Sequence, residues 1–243
     1  MTSSAVAVVL RGRVMGSRFC RFELRTTTPD AAEAFYDAVL GRRGDAITLL
    51  PAASAARGAT AHWLGHLDVS TLGGPDLVAG KLLARGALRL GPPQPDRVLL
   101  RDPGGAIVAL ADMTEPSRAG VAWHQLNCTD AERTATTYAE LFGWSLRESI
   151  DLGPHGAHRQ FAWSTEEPNA GAIGDVAGRP GVHAHWLFFF GVVDLDRALE
   201  AAQSRGAKPI GPTLLPSGVR VAVCDDPQGA AFGLMEDAFD VRP

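Results

Sequence analysis

The 243-residue sequence predicts an α+β protein of tandem βαβββ units, paired into two domains with curved mixed sheets and helices outside. Internal repetition is the first observation behind this reading. Phe35-Tyr36-Asp37-Ala38-Val39-Leu40-Gly41 recurs as Thr137-Tyr138-Ala139-Glu140-Leu141-Phe142-Gly143, and Leu24-Arg25-Thr26-Thr27 lines up with Leu126-Asn127-Cys128-Thr129. Ala61-His62-Trp63-Leu64 recurs as Ala184-His185-Trp186-Leu187, and Asp102-Pro103-Gly104-Gly105-Ala106 recurs as Asp226-Pro227-Gln228-Gly229-Ala230. Self-similarity of this kind marks duplicated supersecondary units. The second observation is the switch between strand and helix periodicity within each half. The polar, Pro-containing stretch Met113 to Gly120 divides the halves. The expected organisation is an N-terminal segment over 1–17, a first domain over 18–113 with a truncated first unit, and a second domain over 120–238.

In chain order, Arg21 to Thr26 and Trp123 to Cys128 read as strands. Each precedes a helix with apolar residues at helical spacing: Ala31, Ala34, Phe35, Ala38 and Val39 in one, Ala135, Tyr138, Leu141 and Phe142 in the other. Gly41 and Gly143 stand at their expected C-caps. His62 to Val69 and His185 to Val193 are the next strands, then helices over 75–85 and 194–205, strands over 97–101 and 219–224, DP-x-G turns, and closing strands over 106–111 and 230–236. About 40 residues separate Gly143 from His183, room for a three-stranded meander with a Gly-rich loop at Gly171-Ala172-Ile173-Gly174. Only 20 lie between Gly41 and His62, room for one or two strands. The first half is therefore expected to have lost part of a sheet, and the second to hold any site.

Composition narrows the class. The chain is 46% hydrophobic and 21% charged, the profile of a folded globular protein. A formal charge of −4 argues against a general nucleic-acid binder. No apolar run approaches the roughly 18–20 residues that span a bilayer, so no membrane partner is expected. Arg11, Arg13 and Arg18 are spread among small apolar residues near the N-terminus, which is not the basic-then-apolar order of a signal peptide. Cys20, Cys128 and Cys224 are scattered and odd in number, which fits a reducing cytoplasm and three small buried side chains. The expected assembly is a monomer or homodimer.

The helix endings AFYDAVLG and TYAELFG, the HWL-initiated strands and the turns DPGGA and DPQGA resemble the vicinal oxygen chelate superfamily of glyoxalases, bleomycin resistance proteins and dioxygenases. The resemblance runs from about Phe19 to Asp237. Phe19 to Leu24 and Trp123 to Leu126 look like the opening of a bacterial glyoxalase-like subfamily with two domains. It implies two glyoxalase-like domains and, in the enzymes, a divalent metal held by His and Glu on the inner face of a curved sheet, with open positions for two vicinal substrate oxygens. Carried over residue by residue, the His positions fall on Arg21, Leu64, Trp123 and Leu187, and the carboxylate positions on Ala109 and Gly233. None is a usual ligand, so no metal and no cofactor is expected.

Strand parity places Trp123, Gln125 and Asn127 inward, with His185, Leu187 and Phe189, and turns His124 toward the helix layer. His155 and His158 flank a turn, and Glu236 shares parity with Leu234, away from the cavity. The expected site is an aromatic, mildly polar cavity in the second domain lined by Trp123, Gln125, Asn127, His158, His185 and Phe189. There a small, partly aromatic molecule is bound or transformed. Trp123 and Phe189 would stack it, Gln125 and Asn127 would orient it, and His158 or His185 could act as a general base. Two alternatives stand beside this reading. One is a metal-dependent lyase or dioxygenase with a relocated site at His183, His185, His158 and Gln125. The other is a non-catalytic structural or partner-binding protein.

Overall fold

The computed structural model describes residues 17–41, 46–92, 94, 96–113, 120–153 and 156–236. All but the last residue of the expected N-terminal segment, most of the stretch between the halves, and His155 lie outside the described residues. The first half runs β1 (Phe19–Thr26), α1 (Pro29–Leu40), β2 (Ala46–Leu49), α2 (Ala52–Ala55), β3 (His62–Asp68), α3 (Pro75–Leu83), β4 (Leu88–Leu90), β5 (Arg97–Arg101) and β6 (Ile107–Ala111). The second runs β7 (Val121–Cys128), α4 (Ala131–Phe142), β8 (Ser145–Asp151), β9 (Ala157–Ala162), β10 (Gly171–Asp175), β11 (His185–Val192), α5 (Leu195–Gln203), β12 (Lys208–Leu214), β13 (Arg220–Asp225) and β14 (Ala231–Glu236).

Each half forms a mixed sheet, ordered β2-β1-β3-β6-β5-β4 and β12-β13-β14-β11-β7-β10-β9-β8. The duplication survives in the pairing: β1 and β2 are parallel as β7 and β10 are, and β3 and β6 as β11 and β14 are. Among the described residues, β8 and β9 have no counterpart in the first half, where β2 and the short α2 lie in the interval. The meander β8-β9-β10 is antiparallel throughout. Its third member corrects one expectation. Gly171 to Gly174 is strand β10, and its glycines make room for rings on neighbouring strands. A Cβ at Gly174 would lie 2.6 Å from the His158 ring, and one at Gly171 would meet the His124 carbonyl and the Phe161 ring.

Local chemistry explains the helices. Asp130 and Asp194 accept from Arg133 N (3.0 Å) and Arg197 N (2.9 Å), capping α4 and α5. Gly41 and Gly143 take φ of 66° and 74°, closing α1 and α4 in the left-handed conformation that a side chain would strain.

One hydrophobic core runs through both halves. Phe19 on β1 sits edge-on to Trp186 and Phe188 of β11 and stacks on His124 of β7 at 5.3 Å. The halves are also tied by a reciprocal pair of hydrogen bonds. Tyr36 on α1 donates to Asp226 in the turn of the second half (3.0 Å), and Tyr138 on α4 donates to Asp102 in the turn of the first (2.8 Å). The helices thus lie on the core side of their sheets, where α1 packs against α5. The other face of each sheet is left for different contents.

Candidate functional site

On the second sheet, pairing aligns residues into rows. His158, Gly174, Asn127 and His185 form one row across β9, β10, β7 and β11. Gln160, Ala172, Gln125 and Leu187 form the next, and Trp123 pairs with Phe189 beyond it. These side chains share the open face, because strand neighbours alternate between faces. His124, one residue off this parity, is buried in the aromatic core, where its Nδ1–H donates to the Ala170 carbonyl (2.9 Å).

A cavity of about 350 Å³ lies on this face. Its floor is Trp123, Gln125, Ala172, His158, Gln160 and Phe189; Ile150 and Leu152 close one side; Asn169, Val221 and Met235 complete the wall. The β12–β13 hairpin supplies Leu215, Pro216, Ser217 and Val219 as a rim. Leu187, Phe189 and Val221 form a hydrophobic cluster separate from the main core, with Trp123, Leu215, Val219 and Met235 packed against it. No charged side chain is among the described residues that line the cavity, and His158 alone among them is titratable.

Four of the six expected residues therefore line the cavity: Trp123, Gln125, His158 and Phe189. Asn127 and His185 stand behind them in a hydrogen-bond relay. Gln125 Nε2 donates to Asn127 Oδ1 (2.9 Å), Asn127 Nδ2 donates to His185 Nε2 (3.4 Å), and His185 Nδ1 donates to the His183 carbonyl (2.7 Å). The relay spends the Gln125 amide N–H and leaves its carbonyl oxygen to the cavity. Gln160 Oε1 accepts from Asn169 Nδ2 (3.0 Å), which leaves the Gln160 amide N–H groups available. One edge thus offers both a donor and an acceptor. Burial pulls the His185 pKa below its ordinary value, so the ring is neutral at neutral pH.

The positions that the superfamily resemblance assigns to a metal do not suit one. Trp123 and Leu187 carry no donor atom, and a side chain at Gly233 would run into the Phe189 ring. Both ring nitrogens of His185 are committed in the relay, and its ring lies 4.7 Å from that of His183, which precedes the strand. Among the described residues, no group of three His, Cys, Asp or Glu side chains is placed to hold a metal ion. Glu236 faces the helix side, where it accepts from Leu195 N (3.2 Å).

Sequence reasoning missed the rim at 215–219 and the wall at Ile150 and Leu152. These residues reach the site by tertiary placement; the longer Gly143–His183 interval was the one signal that this half carries extra walls.

Duplicated βαβββ units in two mixed sheets, with a cavity on the open face of one, are the architecture that the vicinal oxygen chelate resemblance implies. Residues 120–234 match the family model of the Glyoxalase/Bleomycin resistance protein/Dioxygenase superfamily. It is 42% identical over 60 residues to the putative glyoxylase CFP32 of Mycobacterium tuberculosis, a match covering 24% of this chain and 23% of that protein. It is 28% identical over 143 residues to the anthracycline biosynthesis protein DnrV of Streptomyces peucetius, covering 52% of each. The chain thus spans about a quarter to half of the curated relatives it matches. Among solved structures, the 2,3-dioxygenase LapB of Pseudomonas sp. KL28 superposes with a TM-score of 0.62 over 95% of this chain and 96% of that one, at 16% identity. That likeness is one of fold.

Proposed function

We propose that the second half binds a small, neutral, planar molecule in its open-face cavity and does so without a metal. The observation that carries this reading is the cavity's lining: Trp123 and Phe189 with aliphatic walls, amides along one edge, and no charge. Its volume is at the lower end of the range for small-molecule sites, which pair apolar walls with a few polar groups. Large aromatic side chains suit a flat ring system, and the Gln125 and Gln160 amides can read a carbonyl or hydroxyl at its rim. An ion entering this lining would lose its water without finding a partner. DnrV is named for anthracycline biosynthesis, and a flat polycyclic ligand of that kind is the class this cavity suits.

The donor set at Trp123, Leu187 and Gly233 supports binding over metal chemistry. Among the described lining residues, proton transfer would fall to His158, with no second titratable group to complete an acid–base pair.

The test is a fluorescence titration with 2-naphthol and its anionic counterpart 2-naphthoate. The expected result is saturable binding of 2-naphthol, at least about tenfold weaker binding of 2-naphthoate, and a loss of about tenfold or more on Trp123→Ala, equivalent to 1.4 kcal/mol. Equal binding of the two ligands, or an unaffected Trp123→Ala variant, would contradict the reading.

A further inference from the structure

The first half uses the same frame for the opposite chemistry. Glu23 pairs with Leu64 and Arg25 with His62, where the second half pairs Gln125 with Leu187 and Asn127 with His185. Arg21 pairs with His66 where Trp123 pairs with Phe189, and His66 meets Ala109 where Phe189 meets Gly233. Arg97 pairs with Ala111 as Val221 pairs with Met235. The positions that make an uncharged cavity in one half therefore carry two arginines, a glutamate and a histidine in the other, with Arg25 in the next row.

Glu23 is the centre of this group, its side chain 3% exposed. Its Oε1 accepts from Arg25 Nε (3.0 Å) and Thr48 Oγ1 (2.8 Å), and its Oε2 from His66 Nε2 (3.1 Å) and Arg97 Nη1 (3.0 Å). Arg21 Nη2 lies 3.9 Å from Oε2, beyond hydrogen-bond reach, with its side chain 38% exposed. His66 is neutral at neutral pH, because burial outweighs the pull of Glu23. Three guanidinium groups thus share one carboxylate, a surplus of two positive charges on one face. Glu23 satisfies the inner edge of the group, while Arg21 is the most exposed of the three arginines and Arg97 is 25% exposed, its Nε donating to Gln94 Oε1.

We infer that the open face of the first half is a binding site for a doubly charged oxyanion, inorganic phosphate or a phosphate monoester, held between Arg21 and Arg97 above Glu23. Their nearest guanidinium nitrogens are both drawn to Glu23 Oε2, so no more than about 7 Å separates them, a gap that a tetrahedral oxyanion bridges with two charge-assisted hydrogen bonds of about 2.8 Å. Arginine suits the task because its planar fork presents donors to two oxygens at once. The buried Glu23 fixes Arg25 and Arg97 in place, and Arg21 is the cation left to the ligand.

Calorimetric titration of the full chain with inorganic phosphate, with acetate as the singly charged comparison, tests this. Saturable one-to-one phosphate binding is expected, weaker binding of acetate, and at least about tenfold loss on Arg21→Gln with an unchanged Tm, since Arg21 makes no hydrogen bond to Glu23. Trp123→Ala should leave phosphate binding intact, which separates this site from the cavity of the second half. Absence of saturable binding, acetate bound as tightly as phosphate, or an Arg21→Gln variant that binds like the wild type would overturn the inference and leave an adventitious ion only.

Discussion

Three histidines on the second sheet show how little a residue type says without its row. His124 is buried among Phe19, Phe22, Trp163 and Phe188, and burial lowers its pKa to about 4. His158 is 2% exposed, faces the cavity and packs over Gly174. His185 is held in the relay behind it. Strand parity tells His124 from His185 in the sequence. It could not tell which row of the open face the cavity occupies, so Asn127 and His185 were grouped with residues they only support. The His124 shift has a measurable consequence. Its folded pKa lies below the unfolded value of about 6.5, so its stability contribution is complete above pH 6.5 and is lost as the pH falls toward 4. Across that window the native state loses about 3 kcal/mol from this residue alone. In urea unfolding at stepped pH, the stability difference between the wild type and His124→Phe should shift by that amount against the wild type on acidification. A pH-independent difference would show that the folded state protonates His124 as readily as the unfolded chain does.

At the scale of elements, the strands and helices with strong periodicity were legible, and the edges were not. β2, β4 and β12 are short or exposed edge strands, with burial patterns lacking the in–out alternation that marks a strand in sequence. β10 was read as a loop because glycine is common in loops; here glycine serves close packing in a strand interior. That packing also shapes the cavity. Gly174→Ala would set a Cβ 2.6 Å from the His158 ring and push the ring toward the ligand space. The variant should fold, with a Tm lowered by a few degrees, and bind 2-naphthol about tenfold more weakly, or 1.4 kcal/mol. Wild-type affinity in a folded variant would show that the His158 position does not define the cavity.

At the scale of the molecule, the repeat was plain in the sequence, but its consequence was not: each half's helix tyrosine reaches the other half's turn. Tyr36 also accepts from Trp63 Nε1 (3.0 Å), so that pair is embedded in the core. Burial raises Asp102 to about 6 even though the Tyr138 hydroxyl and turn amides favour its ionised form. With one core running through both sheets, unfolding should be a single transition. Tyr36→Phe and Tyr138→Phe should each cost about 1–3 kcal/mol by leaving buried groups unpaired, and the two losses should add. Two separate transitions in the wild type would show that the halves are independent. The shorter first sheet also has a physical reading: among the described residues it has no equivalent of β8 and β9, and a salt-bridged cluster stands where the second half has apolar space.

The central claim is that the second half's cavity recognises a neutral flat molecule without a metal. The most direct measurement is 2-naphthol affinity after exhaustive chelation, and again with manganese, iron or zinc restored, in the wild type and in His185→Ala. The same affinity is expected with and without metal, and at most a few-fold loss in His185→Ala, since His185 acts through Asn127 and Gln125. Binding that disappears on chelation, returns with one equivalent of metal and is abolished in His185→Ala would contradict it.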